Sequence, residues 1–158
     1  MASSEPVFLA DVLPEISAEL NAGRCVRIYP RGVSMEPMLR GGRDSVLLAP
    51  PPSRLRKYDV PLYRRSDGRF VLHRVVKAHD GFYDLCGDNQ LVVEKQVPRQ
   101  WIIAVAVSFT RKGKEISCGC LSYRLYCRLW CAARSLRRRW RQSRHFAGKL
   151  KRKIFQAK

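Results

Sequence analysis

Two residues of this 158-residue chain have side chains and settings suited to nucleophilic chemistry. Ser34 lies in Gly32-Val33-Ser34-Met35-Glu36-Pro37-Met38, and His73 follows 39 positions later in Phe70-Val71-Leu72-His73-Arg74-Val75-Val76. A serine hydroxyl is a poor nucleophile at neutral pH unless a positioned base takes its proton during attack. Histidine suits that role, because its unperturbed pKa of about 6.5 lies near working pH. Gly32 allows backbone conformations closed to other residues and leaves room for a substrate strand beside Ser34. Pro37 fixes φ and is suited to open a short helix. The serine N–H at the mouth of such a turn can donate to a developing oxyanion. Taken singly, each half has an ordinary structural role: serines in Gly-x-Ser loops are turn residues, and a histidine in an apolar strand is a satisfied core residue.

A third element, Cys86-Gly87-Asp88-Asn89-Gln90, gives the pair its weight. The order Ser-Met-x-Pro-Met, His-Arg-Val-Val, Gly-Asp-Asn resembles the signal peptidase family. Within it, the match is to the branch of endoplasmic reticulum and archaeal enzymes that pairs serine with histidine where bacterial enzymes use lysine. Arg27-Ile28-Tyr29-Pro30-Arg31 before the serine loop and Lys57-Tyr58-Asp59-Val60-Pro61-Leu62-Tyr63 before the histidine segment add to the similarity. It runs from about residue 8 to residue 109, roughly two thirds of the chain.

The resemblance implies a serine endopeptidase acting on a protein or peptide precursor, with small residues before the scissile bond and no cofactor. Ser34 would be the nucleophile and His73 the general base, with either Asp88 or Glu94 orienting the histidine. Glu94 departs from the family, whose Ser/His branch tends to carry an aspartate there. Gly32, Met35 and Pro37 would meet the substrate, and Gly87 and Asn89 would build the structure beside the site. Two Gly-Asp pairs of the family appear here in altered form, as Gly41-Gly42-Arg43-Asp44 and as Tyr58-Asp59. Two other functions remain open. One is self-cleavage, as in related repressor and mutagenesis proteins, although those use a lysine base. The other is a catalytically idle β domain that recruits partners to membranes or acidic ligands through its basic tail.

Positioning these residues requires strands. Cys25 to Tyr29 alternates in polarity, Ser45 to Ala49 is a short apolar run ended by three prolines, and Phe70 to Val76 and Trp101 to Phe109 read as longer strands. Ser66-Asp67-Gly68 and His79-Asp80-Gly81 read as turns. The expected fold is a mainly β (α+β), antiparallel domain with small helices over residues 1–110. A continuous Phe70 to Val76 strand puts His73 on one face with Val71 and Val75, beside apolar walls that lower its pKa, and turns Arg74 away as a structural ion-pair partner. Tyr83, Phe82 and Met35 are candidate cleft walls. Leu9, Val12, Leu13, Ile16 and Leu20 have helical spacing, interrupted by Pro14 and closed by Asn21-Ala22-Gly23.

Charge divides the chain. Residues 1–110 hold 15 Lys+Arg and 12 Asp+Glu, whereas residues 111–158 hold 16 and one. The second segment therefore reads as a separate unit. Leu121, Leu125, Leu129, Ala132, Leu136 and Trp140 form one helical stripe, with Arg124, Arg134, Arg137, Arg138 and Arg141 mostly opposite. Such a helix, with Trp130 and Trp140, suits an anionic membrane surface. A helix docked on the first domain and a disordered tail beyond Gly148 are the other readings. Basic residues also contact phosphates, but no module for sequence-specific nucleic-acid recognition accompanies them.

Cys118-Gly119-Cys120 and Cys127-x-x-x-Cys131 lack zinc-site spacing, and His145 stands alone, so no metal is expected. The expected cysteine state is reduced. The first residues have no basic region followed by an apolar core, and the longest apolar run, Trp101 to Val107, falls short of the ~20 residues a spanning helix needs. The expected location is cytoplasmic, either free or peripheral at the inner face of the membrane.

Overall fold

The computed structural model describes residues 12–134, 136 and 137. Leu9, Trp140, His145 and the arginines from 138 onward lie outside the described residues. Helix α1 (Leu13–Asn21) comes first. Pro14 sits in its first turn, where a missing N–H breaks no hydrogen bond, so it starts the helix where an interruption was expected. Ile16 and Leu20, one turn apart, are buried.

Among the described residues nine strands follow: β1 (Val26–Ile28), β2 (Ser45–Ala49), β3 (Pro61–Arg64), β4 (Phe70–Leu72), β5 (Arg74–Ala78), β6 (Phe82–Cys86), β7 (Glu94–Pro98), β8 (Ile102–Arg111) and β9 (Lys114–Ser117). Helix α2 (Leu121–Ala132) closes the order. Every strand pairing is antiparallel, as period-two segments joined by short turns favour. The described residues thus form a mainly β fold with two α-helices.

The strands form two sheets. The first has the order β1-β2-β8-β3-β4, with β9 also paired to β8, and the second has the order β5-β6-β7. The apolar core follows this division. One cluster unites α1, the first sheet and Tyr123 and Cys127 of α2. The other packs Leu55, Tyr63, Val75, Tyr83, Leu85, Val97 and Val105 together, drawing on both sheets. Tyr83 belongs to that second core, where its hydroxyl accepts the Leu55 N–H at 3.1 Å, and Phe82 stacks on His79.

Two sequence expectations change here. The Phe70 to Val76 segment is not one strand: it breaks at His73, with β4 paired to β3 in the first sheet and β5 paired to β6 in the second. The boundary expected at residue 110 falls inside the first sheet, because β8 runs to Arg111 and β9 pairs back onto it. Beyond it, α2 packs on the core through Tyr123 and Cys127.

Tyr58 carries the mark of the altered Gly-Asp pair. Its φ of +84° lies in the left-handed region that favours glycine. Hydrogen bonds hold it there: its N–H donates to Val75 O at 2.8 Å, and its own carbonyl accepts from Arg74 Nη1 at 3.1 Å.

Candidate functional site

The loop carrying Ser34 leaves β1 and turns sharply at Gly32, whose φ is +89°. Residues 34–38 are turns and not the helix start that Pro37 suggested. The Glu36 N–H donates to Val33 O at 3.2 Å and the Leu39 N–H to Met35 O at 3.0 Å, while Met35, Met38 and Leu39 all sink into the first core. Met35, expected against substrate, is therefore a core residue here. Pro37 is exposed, and its carbonyl accepts from Arg111 Nη2 at 2.9 Å. Asp44 anchors the far end of the loop, accepting the Arg40 N–H at 2.8 Å. The bidentate Arg43 guanidinium leads in holding its carboxyl down at about 2.

The Gly87-Asp88-Asn89 segment lies directly against this loop. Asn89 donates from its N–H to Ser34 O at 2.8 Å and from Nδ2 to Val33 O at 3.2 Å. The approach is close enough that a Cβ on Gly87 would stand 2.6 Å from Ser34 O, so only glycine fits. Two stretches 53 positions apart are thus joined at the backbone of Ser34 itself.

His73 occupies the single residue between β4 and β5, and only 2% of it is exposed. Its Nδ1 lies 3.2 Å from Tyr63 Oη. The Tyr63 hydroxyl donates to Glu94 Oε2 at 2.7 Å, and Arg65 grips the same carboxylate, with Nε at 2.9 Å from Oε2. Once the tyrosine proton is committed to Glu94, the phenolic oxygen can only accept from His73, so Nδ1 carries the hydrogen and Nε2 keeps a lone pair. Both Tyr63 and Glu94 sit where strand registers slip, at the Leu62/Tyr63 step of β3 on β8 and between Tyr83 and Leu85 of β6 on β7. Such irregularities re-aim side chains out of the regular pleat.

The electrostatics agree with a neutral imidazole. Burial, aided by the Arg65 charge and opposed by Glu94 and Asp88, pushes the His73 pKa down to about 4. Burial and then the Glu94 carboxylate raise the Tyr63 phenol, which stays protonated. Burial alone would raise Glu94, but the hydrogen bonds from Arg65 and Tyr63 outweigh it and hold the carboxyl below its ordinary value.

The two acidic candidates separate cleanly. Asp88 accepts from Arg74 twice, Nε to Oδ1 and Nη2 to Oδ2, both at 2.7 Å. Helix α2 completes this buried cluster. Arg74 Nη1 also donates to Tyr123 Oη at 2.8 Å and to Cys127 Sγ at 2.9 Å, Tyr126 Oη donates to Asp88 Oδ2 at 3.2 Å, and Trp130 Nε1 donates to Asp88 O at 3.0 Å. Asp88 is therefore committed to Arg74 and α2, and Glu94 is the carboxylate that reaches His73, through Tyr63.

Ser34, Gly87 and Asn89 are brought into contact, and His73 is joined to Glu94. Among the described residues no hydrogen bond links Ser34 Oγ to His73. A cleft of about 670 Å³ is lined by Arg65, Asn89, Gln90, Leu91, Val92 and Glu94; it takes in Asn89 of the first group and Glu94 of the second, while Ser34 and His73 are not among its lining residues. Tyr63 entered the sequence reading only as the end of the 57–63 segment, without a site role, and Arg65 not at all; the signal available was their spacing of two at the end of a strand, which puts both on one face.

No family model, curated protein or solved structure matches this chain.

Proposed function

We propose that this chain is a serine endopeptidase of the signal peptidase kind, cleaving a protein or peptide precursor with Ser34 as nucleophile and His73 as general base. The observation that carries the reading is the line from His73 Nδ1 through Tyr63 to Glu94. It holds the imidazole in the tautomer a base requires, with Nε2 free to take a proton. Glu94 acts through Tyr63 and is a positioning residue. Ser34 Oγ attacks the scissile carbonyl carbon as its proton passes to Nε2, and backbone N–H groups of the loop stabilise the oxyanion. Collapse breaks the C–N bond, the imidazolium returns the proton to the leaving amine, and water then hydrolyses the acyl-enzyme with His73 again as base.

Burial makes the imidazolium costly, and the Glu94 carboxylate offsets part of that cost. The Ser34 to His73 hydrogen bond forms as the substrate closes the site, since catalytic contacts are commonly looser without substrate. The cleft beside Asn89 and Glu94 takes the substrate extended, a mode that reads alternate side chains in pockets. The preference for small residues before the scissile bond rests on the family resemblance alone.

Incubating the full chain with a defined peptide library, and reading cleavage by mass spectrometry, tests this function. Wild type should cut at recurrent sites, and Ser34→Ala and His73→Ala should each lose roughly 10³-fold or more. Cleavage unchanged in Ser34→Ala, or no cleavage by wild type, overturns the assignment.

A further inference from the structure

Helix α2 has two apolar faces, and only one is covered. Tyr123, Tyr126, Cys127 and Trp130 turn inward, where the two tyrosines, the thiol and the indole meet Arg74 and Asp88. Leu121, Leu125 and Leu129 stand outside at 80%, 55% and 62% exposure. Past Ala132 the Arg137 N–H donates to Ala133 O at 3.0 Å, and Leu136 is a further exposed leucine at 67%. At 3.6 residues per turn Leu121, Leu125 and Leu129 fall within an arc of roughly 80°, centred nearly opposite the docked aromatic face. Arg124 and Arg128, both exposed, flank that arc on one side.

We infer that this outer face of α2 seats the protein on an anionic lipid surface, with the helix lying flat between the protein core and the bilayer. Charge selects this occupant. Residues 118–158 hold 13 Lys+Arg and no Asp or Glu, so a second copy of the chain brought against the same face would meet strong repulsion. The leucines stand on a convex helix surface, which suits insertion among lipid chains while the flanking arginines remain at the headgroups. Among the described residues no helix is long and apolar enough to cross a membrane, so the attachment is a surface one. Because the inner face is already fixed by its polar contacts, the helix needs no unfolding to engage lipid.

The test is co-sedimentation of the full chain with vesicles of phosphatidylcholine alone and of phosphatidylcholine with phosphatidylglycerol, at low and high salt. A Leu125→Gln/Leu129→Gln variant changes apolar area without changing charge and alters only exposed positions, and circular dichroism verifies its fold. Wild type should pellet with the anionic vesicles and not with the neutral ones, less so at high salt, and the double variant should bind at least tenfold more weakly. Equal binding by the double variant would show that charge alone acts and would overturn the role of the leucine face. Failure of wild type to pellet, or binding to an acidic helical peptide in place of vesicles, would overturn the lipid assignment. Neither outcome bears on peptide cleavage, which the library assay reads separately.

Discussion

Two arginine–carboxylate pairs bracket His73, and they differ in almost everything except chemistry. Arg74 and Asp88 are sealed, at 1% and 2% side-chain exposure, whereas Arg65 and Glu94 are open to solvent at 27% and 26%. The sealed pair is saturated by α2 and positions the segment that touches Ser34. The open pair sits on the cleft and reaches the imidazole through Tyr63. A bidentate ion pair is therefore no guide to its own role: burial and the remaining hydrogen-bond capacity decide whether a carboxylate braces a fold or tunes a side chain.

Breaking the sealed pair should cost most. Asp88→Ala leaves the Arg74 guanidinium buried without a counter-charge, a loss of about 3–5 kcal/mol measurable by urea unfolding. A loss near that of an exposed pair would remove the distinction between the two. The next largest effect is a pH dependence centred on the residue between them. His73 in the folded protein has its pKa lowered to about 4, while in the unfolded chain it titrates near about 6.5. The unfolded chain then takes up the proton first. The stabilisation is fully present above about pH 6.5 and is lost as pH falls towards 4, by at most about 3 kcal/mol. Unfolding free energies at pH 7 and pH 4.5 for wild type and His73→Gln should show the steeper decline in wild type, and parallel declines would contradict it. The smallest effect on stability, and the sharpest separation of roles, comes from Tyr63→Phe. Losing one hydroxyl should cost about 1 kcal/mol of stability, while the cleavage proposed above should fall roughly tenfold or more because the imidazole loses its tether. Stability and activity falling in proportion would make the open pair a second brace.

Much of the β architecture can be read from the alternation in the chain, including β2, β8 and the turns at Gly68 and Gly81, because those signals are local. The break at His73 cannot. Phe70 to Val76 is uniformly strand-like, and what divides it is the identity of its partners, β3 on one side and β6 on the other, which no local pattern encodes. The same holds for Asp88 and Glu94: both are acidic and close in sequence, and only the long-range placement of Arg74, α2 and Tyr63 tells them apart. Helix α2 presents a different difficulty, since the leucines and the aromatic residues recur at equally good helical spacings. Apolarity favours the leucine face for burial, yet the aromatic face is the one that docks. The buried Arg74 and Asp88 need hydrogen-bonding partners, which tyrosine and tryptophan supply and leucine cannot.

The single-residue joint at His73 has a consequence for how the molecule tolerates change. One hydrogen-bond ladder ends there and another begins, so the ring answers to two sheets that do not share a strand. Substitutions scattered through either ladder, distant from each other and from the cleft, should converge on one shared functional defect. A mutational scan that scores function apart from abundance would then trace both sheets as a single map with the imidazole at its crossing point.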